Sequence, residues 1–180
     1  MYVPIGDDEI PAIVALMNRA YRGSGASHWS NEPRYLAGDR TTTDVLRADL
    51  AAKPAALLLK WVEEGTDPFI GCVWLEPLGG DTWYLGSLAI DPDWQRGGLG
   101  RVMLSAAELW VGERGGKRVQ MTVVNVRDAL IAWYLRRGYH NTGETAPFPY
   151  GDDRFGAPLR DDLCFVVLEK DLGSAASREH

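Results

Sequence analysis

The residues best suited to chemistry stand in one stretch, Leu88-Ala89-Ile90-Asp91-Pro92-Asp93-Trp94-Gln95-Arg96-Gly97-Gly98-Leu99-Gly100, an apolar strand running through a turn into a glycine-rich helix start. The chemistry such a stretch suits is anion binding. Backbone N–H groups in the first turn of a helix lack intrahelical partners and lie at the positive end of the dipole, and glycines there let a phosphate approach the main chain. Arg96 and Arg101 add charge. The spacing Gln-x-x-Gly-x-Gly, filled by Gln95, Gly98 and Gly100, matches neither the three-glycine dinucleotide fingerprint nor the Gly-Lys-Ser/Thr loop that cradles triphosphates. Taken alone, the hexapeptide is also readable as a turn that lets helix and strand pack closely.

A second stretch with chemical potential is Tyr134-Leu135-Arg136-Arg137-Gly138-Tyr139. Tyr134 shares a helical stripe with Leu130 and Ile131, so it reads either as a core aromatic or as a phenol placed to give up a proton. Asn125 ends the preceding strand, where its amide could cap the next helix. Proton acceptors are harder to name: Glu76 and Asp81 lie near glycine turns, where acids are usually solvated, and His28 sits in a polar segment. Trp29, Tyr35, Trp83, Tyr84 and Tyr150, with Asp152 and Asp153, could wall a site for a cationic or aromatic amine, or simply fill the core. Arg40 suits a substrate carboxylate, or a surface pair with Asp39 or Asp44.

Positioning these groups requires strands and helices that the pattern supplies. A short strand, Tyr2 to Ile5, precedes a helix with Ile10, Ile13, Val14, Met17 and Tyr21 at helical spacing, Asp7 and Asp8 as caps and Pro11 in its first turn. Thr41 to Ala52 reads as a second helix ended by Pro54. Strands follow over Ala55 to Val62, Phe69 to Leu75 and Thr82 to Ile90, whose short connections make them antiparallel neighbours. A long helix over Gly98 to Glu113 closes at Gly115-Gly116, then come a strand over Arg118 to Val124 and a helix stopped by Gly138. A polar, glycine-rich loop leads to a last strand, Leu163 to Leu168. This order implies an α/β (α+β) domain, a mixed sheet with helices on its faces, over residues 1–172, with 173–180 as a disordered tail.

The 180 residues fit one domain, and 46% hydrophobic residues supply its core. A formal charge of −6 speaks against a nucleic-acid partner, which needs a basic face. No apolar run is long enough to span a membrane and no basic leader precedes one, so the cytoplasm is the expected location. Cys72 and Cys164 lie in apolar runs without zinc-type spacing, so packing is their expected role and no metal is expected.

On the residues quoted, the sequence resembles the GNAT family of N-acetyltransferases. Gln95, Gly98 and Gly100 fill that family's Gln/Arg-x-x-Gly-x-Gly/Ala motif, and Tyr134 to Tyr139 its Tyr-x-x-x-Gly-aromatic segment. The resemblance implies the acyl-CoA N-acyltransferase fold, a mostly antiparallel sheet of about seven strands flanked by about four helices. It also implies acetyl-CoA as co-substrate and transfer of the acetyl group to a primary amine of a small molecule by direct attack. Leu88, Ala89 and Ile90 would then meet the pantetheine arm at a bulge near Gly86-Ser87. Gln95, Arg96, Gly97, Gly98, Leu99, Gly100 and Arg101 would cradle the pyrophosphate, Asn125 would bond the arm, and Tyr134 would protonate the leaving thiolate. The family's usual base position holds Tyr84, and the gap from Asn125 to Tyr134 is two residues longer than usual. A coenzyme A-binding sensor without turnover and a protein N-acetyltransferase are the alternatives, and a homodimer is compatible with the resemblance.

Overall fold

The apolar runs in the middle of the chain are continuous rather than alternating, as befits strands covered on both faces. A computed structural model describes residues 1–23, 34–63, 69–95, 97–152 and 156–173. In it a seven-stranded sheet is formed by β1 (Tyr2–Pro4), β3 (Leu57–Trp61), β4 (Gly71–Gly79), β5 (Thr82–Ile90), β6 (Arg118–Val124), β7 (His140–Pro147) and β9 (Cys164–Asp171). Their spatial order is β1-β3-β4-β5-β6-β9-β7. All neighbours are antiparallel except β5 and β6. A separate two-stranded ladder joins β2 (Leu36–Ala37) to β8 (Ala157–Pro158).

Among the described residues four α-helices cover the sheet: α1 (Ile10–Arg22), α2 (Thr43–Ala52), α3 (Leu99–Glu113) and α4 (Asp128–Leu135). Alternation along the strands decides which helix each residue meets. Leu58, Cys72 and Trp74 pack with Ile13, Leu16 and Met17 of α1 and Leu46 of α2. Leu59, Val73 and Leu75 pack with Leu104, Ala107 and Val111 of α3, together with Val119, Met121 and Leu168. The sheet is thus the middle of three layers, as the mixed α/β reading expects.

The structure departs from the sequence reading in instructive places. Asp7 and Asp8 do not cap α1; they belong to a short 3₁₀ turn with Glu9, whose carboxylate accepts from the Gly6 N–H at 2.8 Å. Pro11 does fall in the first turn of α1. Helix α2 begins at Thr43, because the hydroxyl of Thr42 accepts from Val45 N and caps it. The polar stretch expected to be loop contains β7, an exposed strand on the sheet edge. Such a strand needs only one partner and no buried face, so it carries no hydrophobic pattern. Strand β9 continues past Leu168 through Glu169 and Lys170 to Asp171, because β6 offers Arg118 as cross-strand partner, its Nε 3.3 Å from Glu169 and 3.2 Å from Asp171. Of the tail expected at 173–180, all but Gly173 lies outside the described residues. Among the described residues no helix is long and apolar enough to cross a membrane.

The packing of α3 on the sheet gives a direct test. Leu104 is 1% exposed in the main core, so Leu104→Ala leaves a cavity that close-packed neighbours fill only in part. It should cost about 2–5 kcal/mol of unfolding free energy, read as a shift of the urea midpoint at constant slope.

Candidate active site

Strands β5 and β6 pair in parallel over three positions only, Thr82 with Arg118, Trp83 with Val119 and Tyr84 with Gln120. Beyond Tyr84 they diverge, and the local sequence explains why. Cys72 pairs with Ala89 and Trp74 with Gly86, so Ser87 and Leu88 together face the single residue Val73. That is a β-bulge, which bends its strand. Ser87 takes φ 47°, and a side chain at Gly86 would place its Cβ 2.7 Å from the Tyr84 ring. The bulge falls where Gly86-Ser87 led it to be expected.

The wedge between the strands is continued by three adjoining hollows. The largest, about 280 Å³, is walled by β5 residues Tyr84 to Leu88, β6 residues Met121 to Val124, and Tyr21, Arg40 and Tyr134 among others. A narrower one of about 50 Å³ shares Tyr21, Leu88, Arg127, Leu130 and Tyr134 with it. A third, about 190 Å³, shares Ile90, Gln95, Gly100 and Trp133 with the second and adds Gly98, Arg101 and Arg137. Together they run from the glycine loop, along β5, into the wedge.

Most of the expected ligand-binding residues line this path. The carbonyls of Leu88 and Ile90 accept from Tyr21 Oη and Gln95 Nε2, both at 3.2 Å, while Asp91 N, one residue on, turns back to Ile70 O of the β4 side. The main-chain groups of Leu88 and Ile90 therefore face the hollows, and those of Ala89 face β4. Gly97 and Gly98 are both left-handed, at φ 73° and 79°, which lets the chain turn abruptly into α3. Leu99 turns its side chain to the cluster of Ile90 and Met103, leaving its main chain to the loop. Arg96 lies outside the described residues.

Gln95 Oε1, an acceptor, and Arg137 Nε, a donor, are buried on the path with no hydrogen-bond partner among the described residues. Buried polar groups are normally satisfied, so orphans on a hollow's wall point to a ligand that completes them. Arg137 also stacks on Trp133, its Cζ 3.5 Å from the ring centroid. An amide-bearing arm that ends in a pyrophosphate fits this set: an acceptor for its N–H, strand backbone for its carbonyls, and guanidiniums with helix-start N–H groups for its charge.

Asn125 stands differently. Its Nδ2 donates to Asp162 O at 3.0 Å and its Oδ1 accepts from Cys164 N at 3.1 Å, so the amide ties the end of β6 to the start of β9. It does not cap α4, whose N-cap position is Arg127. It is absent from the walls of the three hollows.

Tyr134 borders both the large and the narrow hollow. Its ring lies edge-on to Trp133 and Tyr139, and Tyr139 Oη donates to Glu108, which also holds Lys170 at 2.7 Å. Burial pushes the Tyr134 phenol up to about 12, against the opposing pull of Arg127. It therefore keeps its proton throughout the neutral range.

The candidate bases lie elsewhere. Glu76 binds Lys53 Nζ at 2.8 Å and Trp74 Nε1 at 3.2 Å, Asp81 is 3.7 Å from Lys117, and His28 lies outside the described residues. Of the expected aromatic wall, Tyr84 lines the large hollow, with its hydroxyl 2.9 Å from Thr122 Oγ1. Trp83 stacks edge-on against Trp110, Tyr35 is buried beside Leu36 and Phe148, and Tyr150 Oη accepts from Leu163 N at 2.7 Å. Trp29 and Asp153 lie outside the described residues, and Asp152 is not on the wall. Arg40 is on the wall, over the Tyr21 ring. The sequence reading missed Tyr21, Arg22, Leu36, Arg127, Phe148 and Phe165 as wall residues. Each stands in a stripe or turn with an adequate structural reason, so no local signal sets it apart.

Comparison with known proteins agrees with this geometry. The model of the acetyltransferase (GNAT) family matches residues 15–139, and the chain belongs to that family. Among solved structures, a ribosomal-protein-alanine N-acetyltransferase from Brucella melitensis superposes with TM-score 0.64 at 16% identity, covering 95% of this chain and 99% of that one. PaiA N-acetyltransferase from Thermoplasma acidophilum, in complex with coenzyme A, gives TM-score 0.62 at 14% identity over 95% and 98% of the two chains. IAA acetyltransferase from Bacillus cereus gives 0.62 at 15% identity, over 95% and 98%. These likenesses establish the fold, the acyl-CoA N-acyltransferase architecture. No curated protein matches the sequence significantly.

Two outcomes follow from the site. Gly98→Ala forces a side chain into the left-handed region and should cost roughly 1–2 kcal/mol, with a matching drop in thermal midpoint. Burial also raises Cys72 and Tyr134 to about 12, so above pH 9 the folded chain holds protons that the unfolded chain releases. Stability should be fully present below that point and fall as the pH rises toward about 12, measured by urea titration at stepped pH.

Proposed function

We propose that this protein is an N-acetyltransferase that moves the acetyl group of acetyl-CoA to a primary amine of a small molecule, with Tyr134 as general acid. The observation that carries this reading is the position of Tyr134 at the junction of the narrow and large hollows. The reading assigns the glycine loop and the main-chain groups of Leu88 and Ile90 to one side of that junction and the acceptor to the other. Acetyl-CoA supplies an activated thioester carbonyl and a leaving thiol, a group that ionises in water near pH of about 8.5.

Gln95, Gly97, Gly98, Gly100, Arg101 and Arg137 would hold the nucleotide end, and the open edge of β5 would align the pantetheine arm. That alignment brings a neutral amine and the carbonyl together, which is worth several orders of magnitude in rate by proximity alone. Tyr134 keeps its proton until negative charge develops on the departing sulfur, then hydrogen-bonds to it and releases the proton. Arg127 lowers the cost of that release, since its charge favours the phenolate. No chemistry assigned here needs a metal or a covalent enzyme intermediate.

One observation favours a second reading. Among the described residues, the wall of the large hollow holds no Asp, Glu or His to accept the amine's proton. A coenzyme A-binding sensor would need none. The two are separated by Tyr134→Phe, assayed by thiol release and by melting. In an enzyme the variant loses about 10²- to 10⁴-fold in kcat while acetyl-CoA still raises its thermal midpoint; in a sensor the parent has no turnover to lose.

A further inference from the structure

Trp133, Tyr134 and Arg137 stand close together in the chain, yet each borders a different part of the path. Arg137 lines the third hollow beside Gly98 and Arg101, Trp133 lines the third and the narrow one, and Tyr134 lines the narrow and the large one. The phenol therefore does not border the nucleotide end, but a continuous series of contacts joins it to that end. We infer that Trp133 and Arg137 are positioning residues for Tyr134: filling the nucleotide end orders Arg137, and Trp133 passes that order to the phenol. The inference rests on the N-acetyltransferase reading and gives a use to the part of the co-substrate that does not react.

The series begins at a guanidinium with one bond unmade. Arg137 Nη1 donates to Trp133 O at 2.7 Å, and its Cζ lies 3.5 Å from the centroid of the Trp133 ring. Its Nε is buried and has no hydrogen-bond partner among the described residues. Buried donors are normally satisfied, and a phosphate oxygen accepts from a guanidinium more strongly than a neutral oxygen does. Once Nε is satisfied, the planar fork has fewer orientations open to it, and the indole under it is held as well. That indole lies close to the first turn of α3, since a Cβ on Gly100 would stand 3.5 Å from its Cζ2.

The phenol has two aromatic neighbours, and one of them is fixed already. Trp133 meets the Tyr134 ring edge-on at 5.0 Å and Tyr139 does so at 5.5 Å. Tyr139 Oη donates to Glu108 Oε1 at 3.0 Å, and the other oxygen of that carboxylate takes Lys170 Nζ at 2.7 Å. Neither Glu108 nor Lys170 lines a hollow, so this side is set by α3 and β9 whatever is bound. Trp133 is the neighbour whose surroundings change when the third hollow is filled. Arg137 also grips the main chain of the acid, its N–H donating to Tyr134 O at 2.8 Å. Charge adds a further link: burial raises the Tyr134 phenol, and Arg127 and then Arg137 pull against it.

The nucleotide of acetyl-CoA is remote from the thioester, and remote binding energy raises kcat only where it is directed to ordering the reacting groups. Arg137 and Trp133 give it a route to one of them. A residue that merely held the nucleotide would act through KM, whereas a positioning residue acts on kcat.

The test uses the full-length protein labelled with meta-fluorotyrosine, the Tyr134 resonance being assigned by its loss in Tyr134→Phe. The probe is ADP, which has the adenosine and pyrophosphate of coenzyme A and no pantetheine arm. Saturation with ADP, followed by calorimetry, should shift the Tyr134 fluorine resonance in the parent. Arg137→Gln and Trp133→Leu, each brought to saturation, should lose most of that shift; should one of them fail to fold, the other decides. A resonance that stays in place while ADP binds, a shift that survives in the variants, or no binding of ADP would each overturn the inference. Kinetics supply the second readout, with spermidine, phenethylamine and L-phenylalanine as acceptors. Replacing acetyl-CoA by S-acetylpantetheine should lower kcat about tenfold, and Arg137→Gln should shrink the ratio between the two thioesters toward unity. A variant that changes KM alone overturns the inference and leaves the transferase standing. If none of these amines turns over, it is the transferase reading that fails, and the fluorine measurement alone decides the inference.

Discussion

The bulge at Ser87 and Leu88 is the constraint on which the working half of this molecule depends. Two residues of β5 oppose one of β4, Ser87 is driven to a left-handed backbone, and the strand swings away from β6 after three paired positions. Main-chain groups that a regular sheet would consume in pairing are left facing a wedge. The opening survives because the layers on either side are rigid. Helix α1 seals one face through Tyr21 and the ion pair of Arg19 with Asp91, and α3 and α4 seal the other through a continuous apolar core.

The same geometry distributes charge. At the glycine loop the chain offers α3 N–H groups with Arg101 and Arg137; at the far end it offers Arg22 and Arg40, with Arg127 where the narrow and large hollows meet. Between them lies a mostly apolar corridor past Leu88, Leu130 and Trp133, with Arg127 and Tyr134 at its exit. In a protein of net charge −6, the described walls of this cleft carry arginines and no acid.

How much of this the sequence made legible depended on range. The glycine loop was legible because its requirements are local: left-handed residues at Gly97 and Gly98 must be glycine, and the turn into a helix follows from them. The bulge was legible for the same reason. Strand β7 was not, since an exposed edge strand such as His140 to Pro147 obeys no hydrophobic period. Asn125 looked like a cap or a ligand-binding amide until the entry to β9, remote in sequence, supplied the Asp162 carbonyl and the Cys164 N–H as its partners. The arginine wall was hidden more deeply. Arg22 ends a helix, Arg40 lies in a bend and Arg127 precedes another helix; each is ordinary where it stands, and only the tertiary fold brings the three to one surface.

The three paired positions between β5 and β6 have a mechanical meaning. Backbone hydrogen bonding joins two smaller sheets, β1-β3-β4-β5 and β6-β9-β7, only at one end, over Thr82 to Tyr84 and where Asp81 O accepts from Lys117 and Arg118 N–H. The Tyr84–Thr122 contact is the last clasp before the gap. A molecule seated in the gap, pairing with β5 on one side and touching β6 on the other, therefore acts as a temporary eighth strand. Occupancy completes the architecture, and each departure returns the protein to two leaves joined at a hinge.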